Sequence, residues 1–330
     1  MLRVFVRSLL GALALACAVA ATPAAAQGDA AWPSRPVRVV VPFPPGGGID
    51  VMVRALGQEL SQRWGQPVVI ENKAGAGSLI GAELVARAPA DGYTLLATVN
   101  QTMIANRFLY KSLPYDPDRS FEPIMMLAIS DQFLLAHTGL AANDLKEAVA
   151  LARKQPGGLN YGSFGNGSQP HLLYETLRTR EGIELTHVPY KGIAPNLTAL
   201  AAGEVVLGTG SLAVAQPMIT AGRIKPIAVA GSRRVPQFPN VPTVEEQGYP
   251  YAKASIWYAL FAPAGTPAAI TDRIRNDVRA ILNDPAFAAA NATSKGLTVV
   301  AGDRAQLEKT IADDTRLTAE QVKAAKVTPE

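Results

Sequence analysis

Three glycine-bearing turns stand where strand-like sequence gives way to helix-like sequence: Gly46-Gly47-Gly48, Gly75-Ala76-Gly77 and Gly165-Asn166-Gly167. Glycine leaves backbone N–H groups bare, and a helix N-terminus carries partial positive charge, so each turn suits an anionic group. In "VPFPPGGGID" the prolines stiffen the loop that the glycines open. One such turn carries little information, because every α/β protein has them. Three at one sheet edge point to a cleft, since ligands of open α/β sheets bind beyond the carboxyl ends of the strands. The side chains beside the turns each have two readings. Ser168 either caps its helix or offers its hydroxyl to a ligand. His171 either hydrogen-bonds a carboxylate or packs and satisfies a backbone carbonyl. Tyr190 either touches a ligand or fills a domain interface. Asp50 reads as the cap of the first helix, an architectural role.

Motifs for chemistry beyond binding were not found. "GAGSLIG" spaces its glycines one residue too widely for the dinucleotide fingerprint and does not follow the first strand. Ser78, Ser163 and Ser168 all lie outside G-x-S-x-G, so there is no nucleophile elbow. The phosphate-binding G-x-x-x-x-G-K-S/T is missing from the chain. His137, His171 and His187 are the only histidines, and none has a partner at metal-ligand spacing. No catalytic residue, metal or cofactor is expected.

The elements that must position these turns alternate along the chain. Arg38–Pro42 reads as a strand. A helix follows from Asp50 to Trp64, with Val53, Leu56, Leu60 and Trp64 on one face and Gly65 closing it. Val68–Glu71 is the next strand, "NKAGAGSLIGAELVARA" a glycine loop running into a helix, and "GYTLLATVN" a third strand ending at Asn100. "MLAISDQFLLAHTG" is extended chain, followed by a helix capped by Asn143 or Asp144. Two more strand–turn–helix units and "IKPIAVAGS" complete a second block. Proline-rich "VPQFPNVPTVEEQGYP" reads as a crossing segment. From "ASIWYALFAPAGTP" onward the sequence returns to one long helix, Pro267–Leu282, with Thr266 as its cap. "GLTVV" and a charged amphipathic stretch from Asp303 end the chain. Repeated strand–loop–helix units predict a mostly parallel sheet covered by helices.

The bulk numbers fit such an architecture. A chain of 330 residues, 48% hydrophobic, can bury a substantial core, in two domains. Arg3 and Arg7, an apolar run from Ser8 to Ala21 and the small residues Ala24-Ala25-Ala26 read as an export signal over residues 1–26. The only cysteine, Cys17, lies inside that signal, so the mature chain relies on its core rather than on disulfides. Without Arg3 and Arg7 the basic count falls from 31 to 29 against 27 acidic residues, a net charge of +2 instead of +4. No run of five basic residues exists, which argues against a nucleic-acid partner.

"WPSRPVRVVVPFPPGGGID", "VVIENKAGAGSLIGAELVARAPADGYTLL", "YGSFGNGSQPHL", "VPYKG" and "VPTVEEQGYP" occur in an order and spacing that resembles the Bug (TctC-type) solute receptors. These are the extracytoplasmic binding components of tripartite tricarboxylate transporters. The resemblance covers nearly all of the mature chain. It implies an α/β, two-lobed periplasmic-binding-protein fold (type II, Venus-flytrap) with two crossing segments, near Ser130 and Arg233. Lobe 1 would comprise residues 27–130 and 234–330, and lobe 2 residues 131–233. It also implies a monomeric periplasmic receptor that captures a small organic carboxylate for membrane permease subunits. Competing readings are an extracytoplasmic sensor and an α/β enzyme acting on a carboxylic acid.

On this reading the cleft is lined by Phe43, Gly46, Gly47 and Asp50 in the first loop and by Asn100 after the third strand. Ser163, Gly167, Ser168 and His171 come from the second block, with Tyr190, Gly192 and Thr209 beyond them. Two departures from the family pattern fall in expected cleft loops. Where relatives carry two aspartates after "AGEV", this chain has Val206, Leu207, Gly208, Thr209 and Gly210. Met103 stands where a histidine is usual, and Asn106 is followed by Arg107 rather than proline. The neutral stretch at Val206–Gly210 predicts a wall that favours a bulkier or more apolar acid, aromatic or dicarboxylic, over an amino acid.

Overall fold

The computed structural model describes residues 32–329 apart from 156 and 232. The expected export signal and Cys17 lie outside the described residues. The chain divides into compact units 1–35 and 36–330, and the fold is that of the second.

Three parallel strands open it: β1 (Val37–Val41), β2 (Val68–Asn72) and β3 (Thr94–Val99), in the order β2-β1-β3. Between them run helix α1 (Gly48–Trp64), closed by Gly65 in the left-handed conformation, and helix α2 (Leu79–Ala86). A π-helical turn, Gln101–Ala105, continues into the short α3 (Asn106–Leu109). Strand β4 (Phe121–His137) is 17 residues long. Its first part, through Asp131, pairs with β9 (Ser255–Pro263), and its last part, from Gln132, pairs with β7 (Leu207–Ser211) and β8 (Ile224–Val229). One uninterrupted strand therefore carries the chain from the first lobe into the second, changing partners between Asp131 and Gln132.

The second lobe adds α4 (Leu145–Lys154), β5 (Leu159–Ser163), α5 (Gln169–Glu181), β6 (Leu185–Pro189), α6 (Ile193–Ala202) and α7 (Leu212–Thr220). Asp144 caps α4 by accepting the Glu147 N–H at 2.8 Å. Strand β5 is parallel to both β6 and β7. After β9 the chain returns to the first lobe through α8 (Ala268–Leu282), α9 (Pro285–Asn291), β10 (Leu297–Gly302) and the long α10 (Arg304–Ala325). Thr266 does not cap α8; its hydroxyl donates to the Pro263 carbonyl at 2.7 Å.

Two expectations change. The sheet is mixed rather than mostly parallel: β9 lies between β3 and β4 and runs antiparallel to both, and β8 and β10 are also antiparallel to β4. An apolar run such as "SIWYALFAP", buried on both faces, has no alternation to mark it as a strand. The second change concerns the return crossing. Val235 joins the buried cluster of Phe133, Leu135 and Leu197, while Val244, Tyr249 and Ala252 join that of Leu134, Tyr161 and Tyr174. Residues 235–252 thus pack on the second lobe, and the chain leaves it at Ala254, whose N–H bonds Ala230 O at 2.9 Å. A division drawn at 233/234 cuts through this packing.

Helix α10 ties the lobes a third time. Leu307 is fully buried in the first lobe's core, and Asp314 accepts the Trp257 indole N–H at 2.9 Å. Near its other end, Ala324 O accepts the Thr179 hydroxyl of α5 at 3.3 Å.

Candidate functional site

The first glycine turn is built around Asp50. Its carboxylate is 2% exposed and accepts the Gly46 N–H at 2.9 Å, Arg54 Nε at 3.1 Å and Asn72 Nδ2 at 2.9 Å. Burial pushes its pKa up, but the bonds from Arg54, Gly46 and Asn72 outweigh that and hold it below the usual value. Asp50 does not cap α1 as expected: the cap position belongs to Gly47, and Asp50 reaches back to the turn instead. The Gly46 amide is therefore occupied. Gly46 needs to be glycine because its φ is +86°, whereas Gly47 has φ −71° and an unobstructed Cβ direction. Phe43 is half-buried, and its carbonyl accepts Asn72 Nδ2 at 3.1 Å.

The turn between β5 and α5 rests on an aromatic stack. The His171 ring lies on His187 with centroids 4.1 Å apart, His187 on Tyr161 at 4.9 Å, and Tyr161 against Tyr174 at 4.7 Å. His171 Nδ1 accepts the Gly167 N–H at 2.9 Å, and His187 Nε2 lies 2.6 Å from Ser163 Oγ. Each imidazole thus commits one ring nitrogen to the turn. Burial, then the neighbouring His171 ring, brings the His187 pKa down to about 4. Burial also lowers that of His171, against a smaller opposing effect of Glu175. Ser168 stands at the N-cap position of α5, but its hydroxyl makes no capping bond and instead donates to Gly165 O at 2.6 Å. Ser163 is fully buried, and Glu175 gives its oxygens to Tyr161 and Arg178 rather than to an imidazole.

Between the lobes lies a cavity of about 340 Å³. Asn100 and Gln101 line it at the carboxyl end of β3, Phe164 and Gly167–Gln169 at the carboxyl end of β5. Asp131 of β4, Ala230 and Gly231 just after β8, and Ser255 of β9 also line it, as do Leu317, Thr318 and Gln321 of α10. Asn100 Nδ2 donates to Ser255 O at 3.0 Å, pinning the end of β3 to the crossing. Of the expected site residues, Asn100, Gly167 and Ser168 meet in this cavity. Phe43, Gly46, Gly47, Asp50, Ser163, His171, Tyr190, Gly192 and Thr209 are not among its lining. Tyr190 packs partly against the cluster of Leu197 and Val205, and Gly192 (φ +110°) opens α6 with nothing near its Cβ direction.

The expected neutral wall is not at the cavity. Thr209 is fully buried at mid-strand, opposite Leu134, and a Cβ on Gly210 would meet Leu135 and Leu197. Met103 is likewise a core residue at 1% exposure, and Arg107 pairs with Asp118. Neither departure lines this cavity. The residues that sequence reasoning missed are Asp131, Gln169, Gly231 and the α10 positions. Asp131 carried a signal: it is a lone charge inside the apolar stretch "MLAISDQFLLAHTG", where an unpaired carboxylate is costly.

Two α/β lobes joined by crossing strands, with a cavity between them at strand carboxyl ends, define a periplasmic-binding-protein fold. The profile of the tripartite tricarboxylate transporter family receptor matches residues 52–326, and the chain belongs to that family. It is 37% identical over 281 residues to the UPF0065 protein in the tcbD-tcbE intergenic region of a Pseudomonas species, covering 84% of this chain and 82% of that one. It is 34% identical over 307 residues to protein BugT of Bordetella pertussis, covering 93% and 94%. Among solved structures, an R. palustris protein with adipate superposes with a TM-score of 0.84 at 33% identity, covering 91% of this chain and all of that one. MatC from Rhodopseudomonas palustris with bound malate gives 0.78 at 32% identity, covering 88% and 100%.

Proposed function

We propose that the chain is a periplasmic receptor, exported by its N-terminal segment, that captures a small organic carboxylate between its lobes. It would deliver the acid unchanged to the permease subunits of a tripartite transporter. One observation carries the reading: the interlobe cavity is sized for a small molecule and lies where the α5 N-terminus and the end of β3 converge. The adipate and malate held by similar proteins support an acid as the ligand. Binding without chemistry is supported by Ser163, which is buried and whose hydroxyl bonds both Gly165 of the glycine turn and His187.

A thermal-shift screen of carboxylates, with the acid quantified by NMR before and after incubation, tests this reading. A true ligand at about 100 times its Kd adds roughly 2.7 kcal/mol of stability, and its concentration stays constant over hours. Stabilisation accompanied by loss of the acid would favour an enzyme instead.

A further inference from the structure

The Asp131 carboxylate lies flat over Gly231, and a Cβ placed on that glycine would fall 2.8 Å from Asp131 Oδ2. No side chain larger than hydrogen leaves the acid where it is. Both residues line the interlobe cavity. Among the described residues, Asp131 receives no hydrogen bond; Arg233 acts on it only through its charge. The other acid at the cavity, Asp314, is engaged by Trp257, and Lys253 is paired with Glu245 at 2.5 Å. Asp131 is thus the lining carboxylate left without a donor. In the same lining, Gln169 keeps both amide atoms inaccessible to solvent and without a partner. Asp131 is only partly buried, so the cavity combines a carboxylate without a protein donor and a buried amide without a partner, and a bound molecule can complete the hydrogen bonds of both.

We infer that Asp131 makes this pocket select a carboxylate that also bears a protonated amine, the ammonium seated on Asp131 and the carboxylate at the start of α5. The inference rests on the proposed carboxylate reading and narrows it. A second ligand carboxylate at Asp131 would meet like charge, so bare dicarboxylates are disfavoured. It also reverses the preference expected from Val206–Gly210, because those residues do not reach the cavity.

Calorimetric titration of the full mature chain with matched pairs tests it: propionate against alanine, succinate against aspartate, and valerate against 5-aminovalerate. At least one amino form should bind tenfold or more tightly than its partner. Asp131→Asn, which preserves shape, should erase that margin while leaving the des-amino acids unchanged or improved. Des-amino acids binding as tightly as the amino forms to the wild-type chain would overturn the inference and leave the carboxylate reading standing. That comparison does not depend on the variant folding. Heat from neither series would overturn both.

Discussion

Leu109 and Gly167 meet across the lobes: Leu109, the last residue of α3, fills the space where Gly167 lacks a side chain, and a Cβ there would lie 2.8 Å from Leu109 Cγ. Gly167 also has φ +69°, which L side chains resist. Gly167→Ala therefore carries two costs, a backbone term of about 1–2 kcal/mol and a steric term against Leu109. Chemical denaturation of Gly167→Ala, Leu109→Ala and the double variant separates them. The double variant should be more stable than the sum of the single effects predicts, because removing the leucine relieves the clash. Strict additivity would mean that the two residues do not touch in solution.

Gly47→Val probes the first turn. With φ −71° and only Pro44 O, at 3.8 Å, near its Cβ direction, position 47 accepts a side chain without strain. The melting temperature should change by no more than a few degrees, and affinity for a carboxylate ligand should be little changed, because Asp50 occupies the Gly46 amide and neither glycine lines the cavity. A marked loss of affinity in calorimetry would show that this turn reaches the acid after all.

The imidazole stack makes stability depend on pH. His187 is held at about 4 and His171 is also below the ordinary 6.5, so the fold keeps both rings neutral where the unfolded chain would protonate them. The unfolded state then binds more protons between those values, and stability must fall as the pH drops from about 6.5 toward 4. It is fully present above 6.5. Between pH 7 and pH 5 the loss is at most about 2 kcal/mol, reduced by solvent screening of the half-exposed His187 ring, and denaturation midpoints at the two pH values measure it. His187→Gln should flatten the slope; an unaltered slope would place the titration elsewhere.

Much of this architecture was legible in the sequence. The glycine turns, α1 with its Gly65 stop, and the strands β1, β2, β3 and β5 follow from turn chemistry and periodicity, which are local. The crossing geometry was not local. Nothing in "SIWYALFAP" tells which neighbours β9 takes, and residues 235–252 could be assigned to a lobe only once Val244 and Tyr249 were seen in its core. The site was legible in part. Asn100, Gly167 and Ser168 reach the cavity because they end or follow strands. Thr209 does not, because the carboxyl end of β7 comes two residues later, at Ser211. Asp131 and Gly231 become neighbours only through the pairing of β4 with β8, across a span no short-range pattern reads.

The two crossings predict a change of shape on binding. β4 passes between lobes at Asp131–Gln132 and the chain returns at Ala254, so rotation about these points would open or shut the cavity. Small-angle scattering with a saturating ligand should show a smaller radius of gyration than without it. The same radius for several confirmed ligands would describe a rigid pocket, consistent with α10 locking both lobes.

The central claim is that the interlobe cavity holds one intact small carboxylate. Calorimetric titration of the purified mature chain with a panel of amino-, hydroxy- and dicarboxylic acids tests it most directly. At least one acid should bind with a stoichiometry of one and be recovered unchanged. A panel in which no acid gives saturable heat, while far-UV circular dichroism shows the chain folded, would contradict it.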